Sequence, residues 1–164
     1  MDCVPETLSE GRPYRILTVV DHWSRSSPGL EAGLRMSGAI VSRVLDRVLG
    51  DRPGPGSITV DQGTEFQSRA LEDWAYRRGV QLDFIRPGKP VEHAFIEALN
   101  GRLRDEWLNI HPFASLAEAQ VIIDAWRVDD NTRRPHSSLG HMPPSEFVRQ
   151  CQDEPTAEEV VCSP

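Results

Sequence analysis

The 164-residue chain lacks the marks of a disulfide-stapled, zinc-bound or membrane-spanning protein. Its three cysteines, Cys3, Cys151 and Cys162, are odd in number and without paired spacing, so they read as plain thiols. No apolar run approaches the roughly 20 residues of a membrane-spanning helix, and no basic-then-apolar leader opens the chain, so a cytoplasmic protein is expected. Positive charge is scarce too: 18 Lys and Arg against 25 Asp and Glu give a formal charge of −7. Lys and Arg contacts to phosphate normally supply most nucleic-acid affinity, so a strong free-standing grip on DNA is not expected of this segment alone. Part of the acidity is local. Asp153, Glu154, Glu158 and Glu159 lie in a C-terminal stretch without Lys or Arg, and the rest carries −3.

What is present suits one domain. A hydrophobic content of 38% fits a single core over residues 1–150, with residues 151–164 as an acidic tail expected to be disordered. Tyr14 to Val20 is a β-branched apolar run ended by Asp21 and reads as a buried strand. Ser37 begins a helix with Ile40, Val41, Val44, Leu45 and Val48 on its apolar face and Gly50 as its stop. A second short strand, Ile58 to Val60, is followed by a helix from Ser68 to Gly79 with Leu71, Trp74 and Ala75 inward. Val80 to Ile85 alternates as a strand. A long helix is expected from about His93 to Asn109, burying Phe95, Leu99, Leu103 and Trp107. Another starts at Ser115, with Glu118 completing a capping box and Val121, Ile122, Ala125 and Trp126 inward. A final helix is expected near Pro144. Strands followed by alternating helices and strands indicate an α/β sheet with helices on its faces.

Two carboxylates stand out. Asp61 closes the Ile58–Val60 strand and opens Asp61-Gln62-Gly63-Thr64-Glu65-Phe66; Glu97 lies in Ala94-Phe95-Ile96-Glu97, with 35 residues between the two. Carboxylates gathered at one spot repel one another and stay ionised together when a cation sits between them. Hard divalent ions take oxygen ligands and can clamp both the attacking and the leaving oxygen of a phosphodiester. Asp61 falls at the carboxyl end of a strand, where open α/β sheets place ligands. On a regular helix Arg104, seven residues past Glu97, shares its face, and Asn100 joins that stripe.

These segments, with Asp2-Cys3-Val4, Leu17 to Asp21, Pro87-Gly88-Lys89-Pro90, Asn100 to Glu106 and Arg134 to Gly140, resemble in order the integrase catalytic core of bacterial insertion-sequence transposases. Those are DDE recombinases related to retroviral integrase. The resemblance implies an RNase H-like α/β fold with a mixed sheet flanked by helices. It implies a catalytic, metal-holding triad of Asp2, Asp61 and Glu97, with two Mg2+ or Mn2+ ions as cofactors. In the family the first aspartate lies on the first strand, which fits Asp2 better than Asp21. Arg104 takes the position that contacts DNA phosphate, and Lys89 and Arg102 are further DNA-binding candidates. The implied reaction is strand cleavage at transposon ends and transfer of the freed 3′ hydroxyl to target DNA. The implied partners are DNA, further copies of the chain and an upstream helix-turn-helix protein or domain.

The chain departs from the pattern at Gln62, Ala98 and Asp130, and the first strand begins one residue after the chain does. Pro5 is also unfavourable in a central strand. Two other readings follow: an inactive transposase remnant acting through assembly, and an RNase H-type nuclease that cleaves without joining. Residue by residue, Asp61 also reads as a strand-to-turn residue, Glu97 as a solvated helix residue, and Lys89 as merely exposed. Arg102 and Arg104 also read as surface partners of Asp105 and Glu106. Arg133 to His136 reads equally as a phosphate-contacting turn or as one that docks the last helix.

Overall fold

The structure is a computed structural model that describes residues 1–85 and 94–153. Lys89, His93, Cys162 and the tail from residue 154 fall outside the described residues. Three strands come first: β1 (Asp2–Thr7), β2 (Pro13–Val19) and β3 (Gly29–Gly33). They pair antiparallel, with Asp2 opposite Thr18 and Val19 opposite Gly29. β4 (Ser57–Val60) and β5 (Gln81–Phe84) form a parallel ladder. The two ladders meet at Met1, whose amino group donates to the Thr59 carbonyl at 2.7 Å.

Helices cover both faces: α1 (Gly38–Leu49) and α2 (Arg69–Arg78) on one, α3 (Ala94–Leu103) and α4 (Leu116–Thr132) on the other. β2 shows why its sequence is continuously apolar. Tyr14 and Ile16 join the core with Ile96, Leu99 and Ile123, while Leu17 joins Val44, Leu71 and Trp74 on the opposite side. A strand buried on both faces has no solvent side on which to place polar residues.

The expected boundaries of α1 and α2 hold. Ser68 Oγ accepts from the Leu71 amide at 3.3 Å, and Gly79 ends α2 in the left-handed conformation at φ 65°. Ser37 occupies the N-cap of α1 without a side-chain cap bond. The next residue has to be glycine, because a Cβ at Gly38 would lie 1.6 Å from Ser68 Oγ. α5 (Pro144–Asp153) begins where expected but runs through Cys151 and Gln152 to Asp153, residues assigned from sequence to the tail.

Two helices differ in face. The helix expected to run to Asn109 is α-helical only to Leu103, then widens into a π turn over Arg104–Leu108 with the Asn109 amide bonded to the Arg104 carbonyl. Its buried residues are Ile96, Leu99, Asn100 and Leu103. Phe95 turns toward the β2–β3 loop instead, with the Arg25 guanidinium 3.4 Å above its ring. On α4 the inward residues are Ala119, Ile123, Trp126 and Asp130, and Val121 is 70% exposed. Apolar residues surround much of α4, so periodicity alone did not fix its rotation; the partners awaiting Asp130 did. Ser115 Oγ accepts from the Glu118 amide, but the Glu118 carboxylate accepts from Ala114 rather than Ser115.

Candidate active site

Asp2 stands at the head of β1, half-buried. Its Oδ1 accepts from the Cys3 amide at 2.7 Å, and its Oδ2 accepts from Asn100 Nδ2 at 2.7 Å. Asn100 is thus not on a solvated stripe, as its spacing from Glu97 suggested, but buried against the first strand. Its Oδ1 is buried without a hydrogen-bond partner among the described residues. An orphaned amide oxygen beside a carboxylate is costly unless a donor or cation meets it.

Asp61 follows the fully buried Val60 at the end of β4. Its Oδ1 accepts from the Gly63 amide at 3.0 Å. A Cβ at Gly63 would lie 3.0 Å from that oxygen and from the Glu65 carboxyl, so a glycine keeps this turn closed. Met1 lies at the same end of the sheet, and its ammonium is within electrostatic reach of both aspartates. Burial lowers its pKa from 8.0 to about 6, against the pull of Asp2 and Asp61.

Glu97 lies exposed in the first turn of α3, one turn before Asn100 and on the same flank. Among the described residues no three His, Cys, Asp or Glu side chains are gathered tightly enough to hold a metal ion. The donors present are nevertheless of one chemical kind: carboxylates and the orphaned Asn100 amide oxygen, hard ligands that suit magnesium or manganese.

Asp21, the other candidate for the first aspartate, is committed to its own turn. It accepts from the Ser24 amide at 3.0 Å and the Ser24 hydroxyl at 2.5 Å. Burial pushes its carboxyl up, but hydrogen bonds from Ser24 and Trp23 outweigh this and hold it below the usual range.

The basic residues have partners that sequence did not suggest. Arg104 lies 3.7 Å from Glu6 on β1, and Arg102 lies 3.3 Å from Asp130 on α4, not beside Asp105 or Glu106. Asp130 is fully buried and also meets Arg134 Nε at 3.3 Å. His136 Nε2 lies 3.6 Å from Asp130, yet burial outweighs that carboxylate and lowers the imidazole pKa. Arg134 Nη2 and Trp126 Nε1 both donate to Glu106 Oε2 at 2.6 Å. Arg134 and His136 are therefore engaged with α4 and the π turn, while Arg133 is 83% exposed. The signals for these pairings were present as single charged letters in apolar surroundings, but they were non-local and carried no spacing rule. The same holds for buried Glu65, paired with Arg15 at 2.8 Å across 50 residues.

Comparison with known proteins gives the family and the fold. The integrase core domain family matches residues 1–90, with a second integrase core domain match over residues 78–144. The chain is 46% identical over 160 residues to the insertion element IS407 uncharacterized 31.7 kDa protein of Burkholderia multivorans, covering 96% of this chain and 58% of that protein. It is 30% identical over 143 residues to the transposase for insertion sequence element IS904 of Lactococcus lactis, covering 85% of this chain and 56% of that one. The chain thus spans little more than half the length of these relatives. In three dimensions it is similar to the HTLV-2 integrase catalytic core domain in complex with magnesium, at 16% identity and TM-score 0.64, covering 89% of this chain and 93% of that one. The simian T-cell lymphotropic virus intasome gives TM-score 0.70 at 15% identity, covering 99% of this chain and 56% of that one. Such identities establish the fold alone: the RNase H-like α/β fold of retroviral integrase cores. With more than half of its residues inside the family match and both aspartate-bearing strands within it, the chain belongs to the integrase core domain family.

Proposed function

We propose that this chain is the catalytic core of an insertion-sequence transposase, a metal-dependent polynucleotidyl transferase. The observation that carries the reading is the hydrogen bond from Asn100 to Asp2, which ties the strand of the first aspartate to the helix that presents Glu97. In this reading Asp2, Asp61 and Glu97 hold two magnesium or manganese ions. When bound, such ions neutralise carboxylates and phosphate together and make water or a 3′ hydroxyl a better nucleophile. The chain's own residues position. Asn100 fixes one oxygen of Asp2, and the Gly63 turn fixes one oxygen of Asp61. Glu97, on the exposed flank of α3, approaches from the solvent side, where a DNA backbone can enter.

Arg104, 42% exposed and 3.7 Å from Glu6, has the reach to exchange that carboxylate for a DNA phosphate. Lys89 and Arg102 are proposed as further DNA contacts, with Arg102 retaining its partner Asp130. The DNA substrates proposed are transposon ends and target, with several copies of the chain in the working assembly. A helix-turn-helix protein or domain supplies end recognition. The relative described as an IS904 transposase supports the reaction, and the magnesium in the HTLV-2 integrase complex supports the metal.

The test is strand transfer by a full-length form carrying Asp61→Asn or Glu97→Gln. Each should lose at least about a thousandfold in rate while keeping its fold by circular dichroism. Joining at the parent rate by either variant would remove that residue from the proposed machinery.

A further inference from the structure

Two sequence motifs, Ser24-Arg25 and the stretch from Arg134 to Gly140, have no part in the proposed metal chemistry. The fold brings them to one cavity. It measures about 390 Å³, lies between the β2–β3 loop, a flank of α3 and the turn after α4, and is lined by Arg25, Arg102, Arg134, His136, Ser137 and Ser138 among others. Among the described residues, three guanidiniums and no carboxylate line it, in a chain of formal charge −7. Asp130, which Arg102 and Arg134 both meet, is fully buried and outside the lining. The groove between α1 and α2 differs, because Asp46 and Asp73 line it together with Arg43 and Arg77 and the charges offset one another.

The three arginines are not equally occupied. Arg134 spends its guanidinium on Glu106 and Asp130. Arg102 gives Nη2 to Asp130, but its Nε is buried without a partner among the described residues. Arg25 gives Nη1 to the His22 carbonyl, and its Nε is likewise buried and unpartnered among them. Such orphaned donors are costly, and a guanidinium fork matches phosphate oxygens. Phe95, Ala98 and Arg102 share one flank of α3, where the small Ala98 leaves room between ring and guanidinium. Arg25 is also strained, with φ at 61°, a conformation that suits glycine and that a long side chain rarely adopts. Strain of this kind collects at ligand clamps. The loop that carries it is fixed from both sides: Asn131 accepts from the Ser27 amide and donates to the Ser27 carbonyl, each at 2.8 Å, and Trp23 packs on Phe147 of α5.

We propose that this cavity is a phosphate pocket in which Arg25 and Arg102 grip one backbone phosphate of DNA, with the hydroxyls of Ser137 and Ser138 as further donors. Ala98 directly follows Glu97, so a phosphate held here lies beside the carboxylate assigned to the metal, and the DNA runs along the exposed flank of α3. The strain at Arg25 is then the cost of aiming a guanidinium from a fixed loop rather than an accident of the turn. That the phosphate belongs to DNA rests on the transposase reading; the pocket's affinity for the anion does not.

The experiment compares thermal melts in about 20 mM sodium phosphate with melts in sodium chloride of equal ionic strength. Phosphate should raise the melting temperature of the parent by about 3 °C. Arg25→Gly removes the guanidinium and relieves the left-handed backbone, so it should fold like the parent in chloride yet lose at least two thirds of that rise. Ser138→Asp sets a carboxylate at an exposed position of the lining and should lose as much. Arg133→Ala, at an exposed arginine outside the lining, should keep the rise. No rise in the parent, equal rises in all four proteins, or an equal loss in Arg133→Ala would overturn the pocket. Should Arg25→Gly fail to fold, the contrast between Ser138→Asp and Arg133→Ala decides. In spectra of the arginine Nε–H groups, inorganic phosphate and a short duplex at millimolar concentration should shift the same two signals, those of Arg25 and Arg102. Shifts with phosphate but not with duplex would overturn DNA as the source, a result separate from strand transfer by the Asp61 and Glu97 variants.

Discussion

Asn100 illustrates how one side chain can organise a site without belonging to the acidic set. Its amide donor holds Asp2 while its buried oxygen has no partner among the described residues. Asn100→Asp replaces an attraction at 2.7 Å with two like charges in a partly buried setting. We expect this variant to be less stable than the parent by about 1–3 kcal/mol without divalent metal. We also expect it to recover more than the parent in 10 mM magnesium, because an added carboxylate binds the ion that relieves it. Thermal melts of both proteins with and without magnesium measure the difference. Equal responses would show that no cation enters between Asp2 and position 100.

At the scale of elements, the charged clasp does more to set geometry than any helix propensity does. Glu106 on the π turn, Trp126 and Asp130 on α4, and Arg134 beyond it lock three segments together. Arg134 holds the Glu106 carboxyl below its ordinary value of 4.5 through hydrogen bonds that outweigh burial, with Trp126 adding to them. A carboxyl depressed on folding contributes stability that is present above its unfolded pKa and lost as pH falls through the folded one. Glu106→Gln should therefore cost about 1–2 kcal/mol at neutral pH, since the pair is partly exposed. The gap between parent and variant should narrow as pH falls below 4.5, in denaturant melts of the two proteins across that range. A gap that widened in acid would contradict this. The clasp also explains why α4 buries Trp126 as expected but turns Val121 and Ala125 to solvent: the rule of apolar periodicity has no place for an aspartate on the buried face.

For the whole molecule, charge decides what the segment can do alone. At −7 it faces DNA with an excess of negative charge, and Arg102 and Arg134 are paired internally. We expect the isolated chain to bind a short duplex no more tightly than about 10⁻⁴ M near 0.15 M salt. A longer form with a basic recognition segment should bind far better and with a steep salt dependence. Fluorescence anisotropy on both forms checks this, and micromolar binding by the isolated chain would place the DNA grip inside these 164 residues.

The sequence by itself determined most of the elements and their order, but not the strand β3 at Gly29–Gly33 or the π turn after Leu103. Ser68, Gly79, Gly50 and the apolar run of β2 act through neighbours a few residues away, and local rules read such signals. The ordered motifs around Asp61 and Glu97 likewise pointed to the family before any fold was known. The inward faces of α1 and α2 were legible as well, whereas only the tertiary structure decided how α4 is turned, where Phe95 points and which charges meet. Asn100 reaches Asp2 across 98 residues, and Arg134 reaches Glu106 across 28. These contacts depend on how sheet and helices stack rather than on spacing along the chain. Burial then selects among the surface pairings that sequence allows, because a charge such as Asp130 can leave water only where partners are already in place.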